Sequence, residues 1–165
     1  MMSREIDEPL LALAARLGAA ALARGAMIAT AESCTGGLVA GAITAIAGSS
    51  AWFERGFVTY SNLAKEQQLG VAPSTIGRFG AVSEETAREM AQGALRGALA
   101  QWAVAVTGIA GPEGGSPDKP VGTVWFAWAG PDHLQTLRRQ FDGDRTAVRE
   151  ASVRVALEGL VDRLA

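Results

Sequence analysis

The chain has 165 residues, of which 48% are hydrophobic and 19% are charged, and its formal net charge at pH 7 is −2. This length and composition predict one globular domain over residues 1–165 that buries its own core. The near-neutral charge and the absence of a basic run argue against a nucleic-acid-binding protein. One cysteine excludes an internal disulfide, and one histidine argues against a zinc site.

The first 25 residues resemble a targeting segment in their apolar content but not in their pattern. Arg16 and Arg24 interrupt the apolar stretch, and acidic residues precede it. A secretion signal has a basic start and an uninterrupted apolar run, and a membrane span needs about 18 apolar residues in a row. We therefore expect an amphipathic helix, no membrane span and a cytoplasmic protein.

Helical and strand patterns follow one another along the chain. The patterns predict helices at about 8–24, 35–47, 62–70, 83–100 and 144–165, and strands at about 27–32, 57–61, 102–108, 122–130 and 134–141. Strands that alternate with helices favour an α/β sheet covered on both faces. The last two strands flank a short "PDH" turn typical of a hairpin, which makes the sheet mixed.

Three unusual segments directly follow predicted strands. They are "ESCTGG" at 32–37, the segment with Tyr60 and Lys65, and Thr107-Gly108 with the long loop at 109–120. Ligands of open α/β sheets bind beyond the carboxyl ends of the parallel strands. Long loops without structure of their own are often functional. We therefore expect these segments to share one rim and to form the functional site.

The first of these segments combines small polar side chains with two glycines. Gly36 and Gly37 allow backbone N–H groups to approach a ligand, and a helix N-terminus could hold a phosphate or an oxyanion. Alternatively, Ser33 or Thr35 merely caps the following helix. Cys34 is either a nucleophile or a small buried thiol, and no histidine partner for it is evident.

Two cationic residues lie at helix N-terminal ends, where a positive charge meets the positive end of the helix dipole. This position lowers the pKa of a lysine, as a general base at Lys65 requires. Taken alone, however, Lys65 fits an exposed lysine on a polar helix face better. Arg145 begins the last helix and could clamp a phosphate or carboxylate, or pair with Asp142 or Asp144 on the surface.

Five ordered motifs carry a resemblance to a known family. "AESCTGG", "YSNLAKEQQLGV", "GAVSEETAREMA", "VTGIAGPEGGSPDKPVGTV" and "GDR" resemble the C-terminal domain family of the competence/damage-inducible protein CinA, over roughly residues 8–163. That family includes stand-alone nicotinamide mononucleotide deamidases. The resemblance implies a three-layer α/β/α sandwich around a mixed, mostly parallel five-stranded sheet.

The resemblance also implies an amidohydrolase activity. It implies hydrolysis of nicotinamide mononucleotide to nicotinic acid mononucleotide and ammonia, in pyridine nucleotide recycling, without a metal or other cofactor. By resemblance Ser33 is the nucleophile, Lys65 its base and Tyr60 an assistant in proton transfer. With the other rim residues, the predicted substrate-binding set is Cys34, Thr35, Gly36, Gly37, Thr107, Gly108, Gly111, Gly114, Gly115 and Arg145.

Two other functions remain open from the sequence. The chain could be a nucleotide-binding module without turnover, since glycine-rich rims bind nucleotides without chemistry. It could also be an amidohydrolase that acts on a different amide. Under each reading the expected ligand is a small molecule rather than a nucleic acid or a membrane, and we expect a homo-oligomer.

Overall fold

The computed structural model describes residues 6–165, so residues 1–5 of the predicted domain lie outside the described part of the chain. The described helices are α1 (Glu8–Arg24), α2 (Leu38–Thr44), α3 (Asn62–Leu69), α4 (Pro73–Phe79), α5 (Glu84–Gly97) and α6 (Arg145–Leu164), with a 3₁₀ turn at Ser49–Ala51. The strands are β1 (Ile28–Glu32), β2 (Phe53–Val58), β3 (Trp102–Gly108), β4 (Thr123–Gly130) and β5 (His133–Gln140).

The five strands form one mixed sheet in the order β2-β1-β3-β4-β5. β1 pairs in parallel with β2 and β3, whereas β4 pairs antiparallel with β3 and β5. The α/β class is confirmed, but "mostly parallel" is wrong, because only two of the four pairings are parallel. No helix separates β3, β4 and β5, and a parallel return generally needs a crossover of a dozen or more residues, usually helical.

Helices cover both faces of the sheet. Buried residues of α1, α2 and α6 form one core cluster, and those from α3 to α5 form the other. β3 serves both clusters, because its valines face the first and its alanines Ala103 and Ala105 face the second. The small alanines leave room for the alanine-rich face of α5. The three-layer sandwich is therefore confirmed.

The structure differs from the prediction at three elements. The strand predicted from residue 57 begins at Phe53, because β2 is a partly exposed edge strand whose polar residues hide the pattern. Helix α4 was not predicted, since it has only seven residues and buries mainly Ile76. Helix α2 begins at Leu38 rather than at residue 35, because Gly36 and Gly37 have left-handed φ values of 58° and 102°.

Helix α6 lies against Trp128 of β4 at a position where only a glycine fits. A Cβ atom on Gly159 would clash with the Trp128 indole ring. The indole Nε1–H donates to the carbonyl of Ala156, 3.1 Å away, which fixes the ring against the helix. This contact holds the C-terminal half of α6 against the sheet.

We predict that Gly159→Ala lowers the free energy of unfolding by about 1–3 kcal/mol, because the added methyl overpacks the core. The matched control is Gly77→Ala in α4, where an added Cβ would meet no atom within 4 Å. That change should stabilise the protein by up to about 1 kcal/mol through helix propensity. Urea denaturation measures both, and equal effects of the two substitutions would contradict the packing argument.

Candidate active site

The backbone places Ser33 at the carboxyl ends of three parallel strands. The Ser33 N–H donates to the carbonyl of Val106 on β3 at 2.9 Å. On the other side, the Thr59 N–H donates to the carbonyl of Glu32 at 2.8 Å. The sheet pairing thus continues one residue past β1 and β2. The segments that follow β1, β2 and β3 meet at one edge, as the sequence predicts.

A buried carboxylate shapes the turn that contains Ser33. Glu32 is 1% exposed, and its side chain accepts hydrogen bonds from the Thr35 hydroxyl at 2.6 Å, the Val39 N–H at 2.9 Å and the Ala40 N–H at 3.1 Å. Glu32 therefore satisfies two N–H groups in the first turn of α2. The interpretation of Ser33 or Thr35 as the helix cap is wrong, because the N-cap position is Gly37 and no side chain caps from it.

The Lys65 side chain contacts the Ser33 side chain. Its side chain is buried, with 2% of the residue exposed. The Nζ atom is 2.9 Å from the Ser33 Oγ and donates to the Thr59 carbonyl at 2.8 Å. The alternative of an exposed surface lysine is therefore wrong.

The surroundings of Lys65 favour its neutral form. The ion pairs among residues 6–165 join Glu54 with Arg55, Glu84 with Arg88 and Asp7 with Arg154, so none of them includes Lys65. Burial lowers the pKa of Lys65 below its ordinary value of 10.5, opposed only by the nearby Cys34 thiol. A neutral amine can accept the proton of the Ser33 hydroxyl, which a charged one cannot.

The pKa of the neighbouring Cys34 thiol is raised, whereas that of Lys65 is lowered. Burial raises the pKa of Cys34 to about 11, against a smaller lowering by a backbone hydrogen bond. The reactive form of a cysteine is the thiolate, so at neutral pH this thiol is a weak nucleophile. Of the two adjacent side chains, Ser33 is the one that contacts a base.

Ser33 opens into a pocket of about 240 Å³ at this edge of the sheet. The lining residues are Ser33, Cys34, Tyr60, Gly108, Ile109, Ala110, Gly111, Glu113 and Arg145. A larger open groove of about 580 Å³ lies along β5 and α6, away from Ser33. We assign the site to the smaller pocket, because it is lined by Ser33, the residue that Lys65 contacts.

The structure separates the predicted binding residues into two groups. Six of the predicted site residues line the pocket, namely Ser33, Cys34, Tyr60, Gly108, Gly111 and Arg145. The seven outside its lining are Thr35, Gly36, Gly37, Lys65, Thr107, Gly114 and Gly115. Thr107 is buried, and its hydroxyl donates to the carbonyl of Ala81 at 2.8 Å. Its side chain thus ties the start of the loop to the segment after α4.

Arg145 joins three segments across the pocket. Its Nη1 donates to the carbonyl of Gly111 at 2.9 Å, and its Nη2 donates to the Tyr60 hydroxyl at 2.7 Å. Within residues 6–165 it forms no ion pair with Asp142 or Asp144, and Asp144 instead caps α6. The surface-pair alternative is therefore wrong. Arg145 is itself exposed, so a ligand in the pocket can reach it.

Sequence reasoning missed Arg149, one turn further along α6. Its Nε donates to the carbonyl of Cys34 at 3.1 Å and its Nη2 to that of Thr35 at 3.3 Å. The spacing of four residues from Arg145, which places both on one helix face, is the signal that could have found it. Glu32 and Glu113 were also missed as members of the site.

Residues 6–165 contain neither a membrane-spanning helix nor a cluster of metal-ligating side chains. None of the helices there combines the length and the apolar character needed to cross a membrane. The same residues contain no group of three or more histidine, cysteine, aspartate or glutamate side chains placed to hold a metal ion.

Comparisons with known proteins agree on one family. The model of the CinA C-terminal domain matches residues 10–164. The nicotinamide-nucleotide amidohydrolase PncC of Pseudomonas putida is 54% identical over 154 residues, covering 93% of this chain and 96% of that protein. The protein of the same name from Escherichia coli K12 is 57% identical over 155 residues, covering 93% and 94%.

A solved structure gives the same result. The crystal structure of the competence/damage inducible protein CihA from Agrobacterium tumefaciens superposes with a TM-score of 0.93 at 51% sequence identity, covering 98% of each chain. The family match spans most of the chain, and the fold, the motifs and the relatives agree with it. This chain belongs to the CinA C-terminal domain family.

Proposed function

We propose that the chain hydrolyses the carboxamide of nicotinamide mononucleotide to nicotinic acid mononucleotide and ammonia, as a step in pyridine nucleotide recycling. The printed names of the relatives, nicotinamide-nucleotide amidohydrolase, support the substrate class. The observation that carries the chemistry is the buried Lys65 Nζ, 2.9 Å from the Ser33 Oγ at the pocket. Both sheet faces are covered by one continuous set of elements, which supports a single catalytic domain.

The first half of the reaction forms an acyl-enzyme. The Ser33 Oγ attacks the carboxamide carbon while the neutral Lys65 amine takes the hydroxyl proton. The tetrahedral intermediate then collapses. The C–N bond breaks, and the proton held by Lys65 passes to the leaving nitrogen, which departs as ammonia. An ester joins Ser33 to the nicotinoyl group at the end of this step.

A backbone N–H group next to Ser33 is available to stabilise the oxyanion. No hydrogen bond among residues 6–165 uses the N–H of Thr35. Arg149 holds the carbonyl of Cys34, and because a peptide group is planar, this also fixes the direction of the Thr35 N–H. Losing one such donor costs about 3 kcal/mol of transition-state stabilisation in other enzymes.

The second half of the reaction clears the ester. Water attacks the acyl carbon, and Lys65 takes a proton from the water and returns it to the Ser33 Oγ as the C–O bond breaks. The product acid loses its proton to solvent and becomes a carboxylate. The Tyr60 hydroxyl, held at the pocket wall by Arg145, would assist proton transfer to the leaving groups.

The structure fits a binding module without turnover less well than it fits an enzyme. Burying a lysine amine against a serine hydroxyl lowers stability, and a ligand-binding site has no need of a base at that position. Hydrolysis of a different amide would use the same pair. Release of ammonia, measured over a series of pyridine nucleotides, separates these functions.

We predict that Ser33→Ala abolishes ammonia release from nicotinamide mononucleotide while the protein stays folded. The matched control is Cys34→Ala, which removes the neighbouring side chain but leaves the serine–lysine pair. It should keep most of the activity, because the thiol is protonated at neutral pH. An active Ser33→Ala protein, or a folded but inactive Cys34→Ala protein, would reverse the assignment of the nucleophile.

We predict that Lys65→Met abolishes activity, because the base is lost. The same substitution should raise the free energy of unfolding at pH 7 by about 0.5–2 kcal/mol, because no amine is buried any longer. Unfolding lets the wild-type lysine regain its ordinary pKa of 10.5, so the unfolded state binds more protons between the lowered pKa and 10.5. Wild-type stability therefore rises with pH in that window, and the advantage of Lys65→Met shrinks. Thermal melts at several pH values check this, and a gain that grows with pH would contradict it.

We predict that Arg145→Ala raises the KM for nicotinamide mononucleotide at least about tenfold, because a charge-assisted contact to the phosphate is lost. The phosphate-free riboside serves as the control substrate and should show a much smaller change. Steady-state kinetics with both substrates give the comparison. Equal effects on the two KM values would mean that Arg145 acts only through its contacts with Gly111 and Tyr60.

A further inference from the structure

Two opposite charges line the Ser33 pocket without neutralising each other. Glu113 supplies the carboxylate and Arg145 the guanidinium, and Arg145 also donates to the carbonyl of Gly111 in the loop that carries Glu113. The ion pairs among residues 6–165 do not join them, and no hydrogen bond within those residues uses the Glu113 side chain. Among the other titratable side chains near Ser33, the Cys34 thiol is uncharged at neutral pH because burial raises its pKa to about 11.

The proposed substrate carries a matching pair of charges. The ring nitrogen of nicotinamide mononucleotide is bonded to ribose, which makes the ring a pyridinium cation, and the phosphate at the other end is an anion. The reacting carboxamide is attached to this same ring. When the carboxamide carbon lies at the Ser33 Oγ, the positive charge of the ring is therefore about one ring's width from Ser33. It then lies next to the residues that line the pocket.

We propose that Glu113 is a specificity-determining residue that selects the cationic ring, while Arg145 holds the phosphate end. This inference rests on the proposed function. Glu113 is two residues from Gly111, whose carbonyl accepts a hydrogen bond from Arg145 at 2.9 Å. That contact ties the loop carrying the carboxylate to the helix carrying the guanidinium. Both charges are thus part of one connected pocket wall before a ligand arrives.

The size of the Glu113 effect on ligand binding follows from the exposure of Glu113 to solvent. Glu113 lies in an exposed part of the loop, so water screens its attraction for the ring. An exposed charge pair of this kind changes a dissociation constant by about three- to fivefold. The attraction acts on the ring charge alone, so it should vanish when the same ligand carries an uncharged ring.

The test compares two ligands that differ in the ring charge. Ser33→Ala protein is titrated calorimetrically with nicotinamide mononucleotide and with its reduced dihydropyridine form, whose ring is neutral and whose phosphate is unchanged. Adding Glu113→Gln should weaken binding of the oxidised ligand about three- to fivefold and leave the reduced ligand unaffected. Glu113→Asp, which keeps the carboxylate, should restore part of the difference.

Asp118→Asn is the matched control, because it removes one negative charge from the same loop at an exposed residue outside the pocket lining. It should change neither dissociation constant. Equal losses for both ligands in Glu113→Gln, or no loss for either, would overturn the assignment even if wild-type protein releases ammonia from nicotinamide mononucleotide. Failure of the wild type to release ammonia would instead overturn the proposed function, and this inference with it.

Discussion

The site depends on one buried contact, between an amine without an acidic partner and a serine hydroxyl. A lysine with 2% exposure and no ion pair within residues 6–165 is costly to keep charged. Burial therefore favours the neutral amine, and a neutral amine can accept the proton of the Ser33 hydroxyl. The same burial that weakens the fold therefore supports the proposed chemistry, and the two cannot be optimised separately.

The rest of the fold holds this contact in place. The parallel pairing of β1 with β2 and β3 brings three strand ends to one edge, and the buried Glu32 carboxylate shapes the turn that presents Ser33. Helix α6 closes the opposite side, where Arg149 holds the turn and Arg145 holds the loop after β3. Because Gly159 packs on Trp128, the position of α6 is set by the core rather than by the site.

The sequence predicted the parts of the site that follow from strand ends and helix starts. The places of Ser33, Lys65 and Arg145 followed from the alternation of strands and helices, because parallel strand ends meet at one edge. The roles of Glu32, Arg149 and Thr107 could not be predicted, since each depends on a contact with a particular backbone group in space. The start of edge strand β2 and the short helix α4 were not predicted, because neither element buries enough apolar residues to give a periodic pattern.

The central claim is that Lys65 is a neutral base, and its pKa can be measured directly. The chain has two lysines, Lys65 and Lys119, so protein labelled with ¹³C at lysine Cε gives two signals, which Lys65→Met assigns. We expect the Lys65 signal to titrate well below 10.5, and the rate of ammonia release to rise with pH through that same pKa. A Lys65 that stays protonated up to pH 10.5 while the enzyme is active at pH 7 would contradict the account.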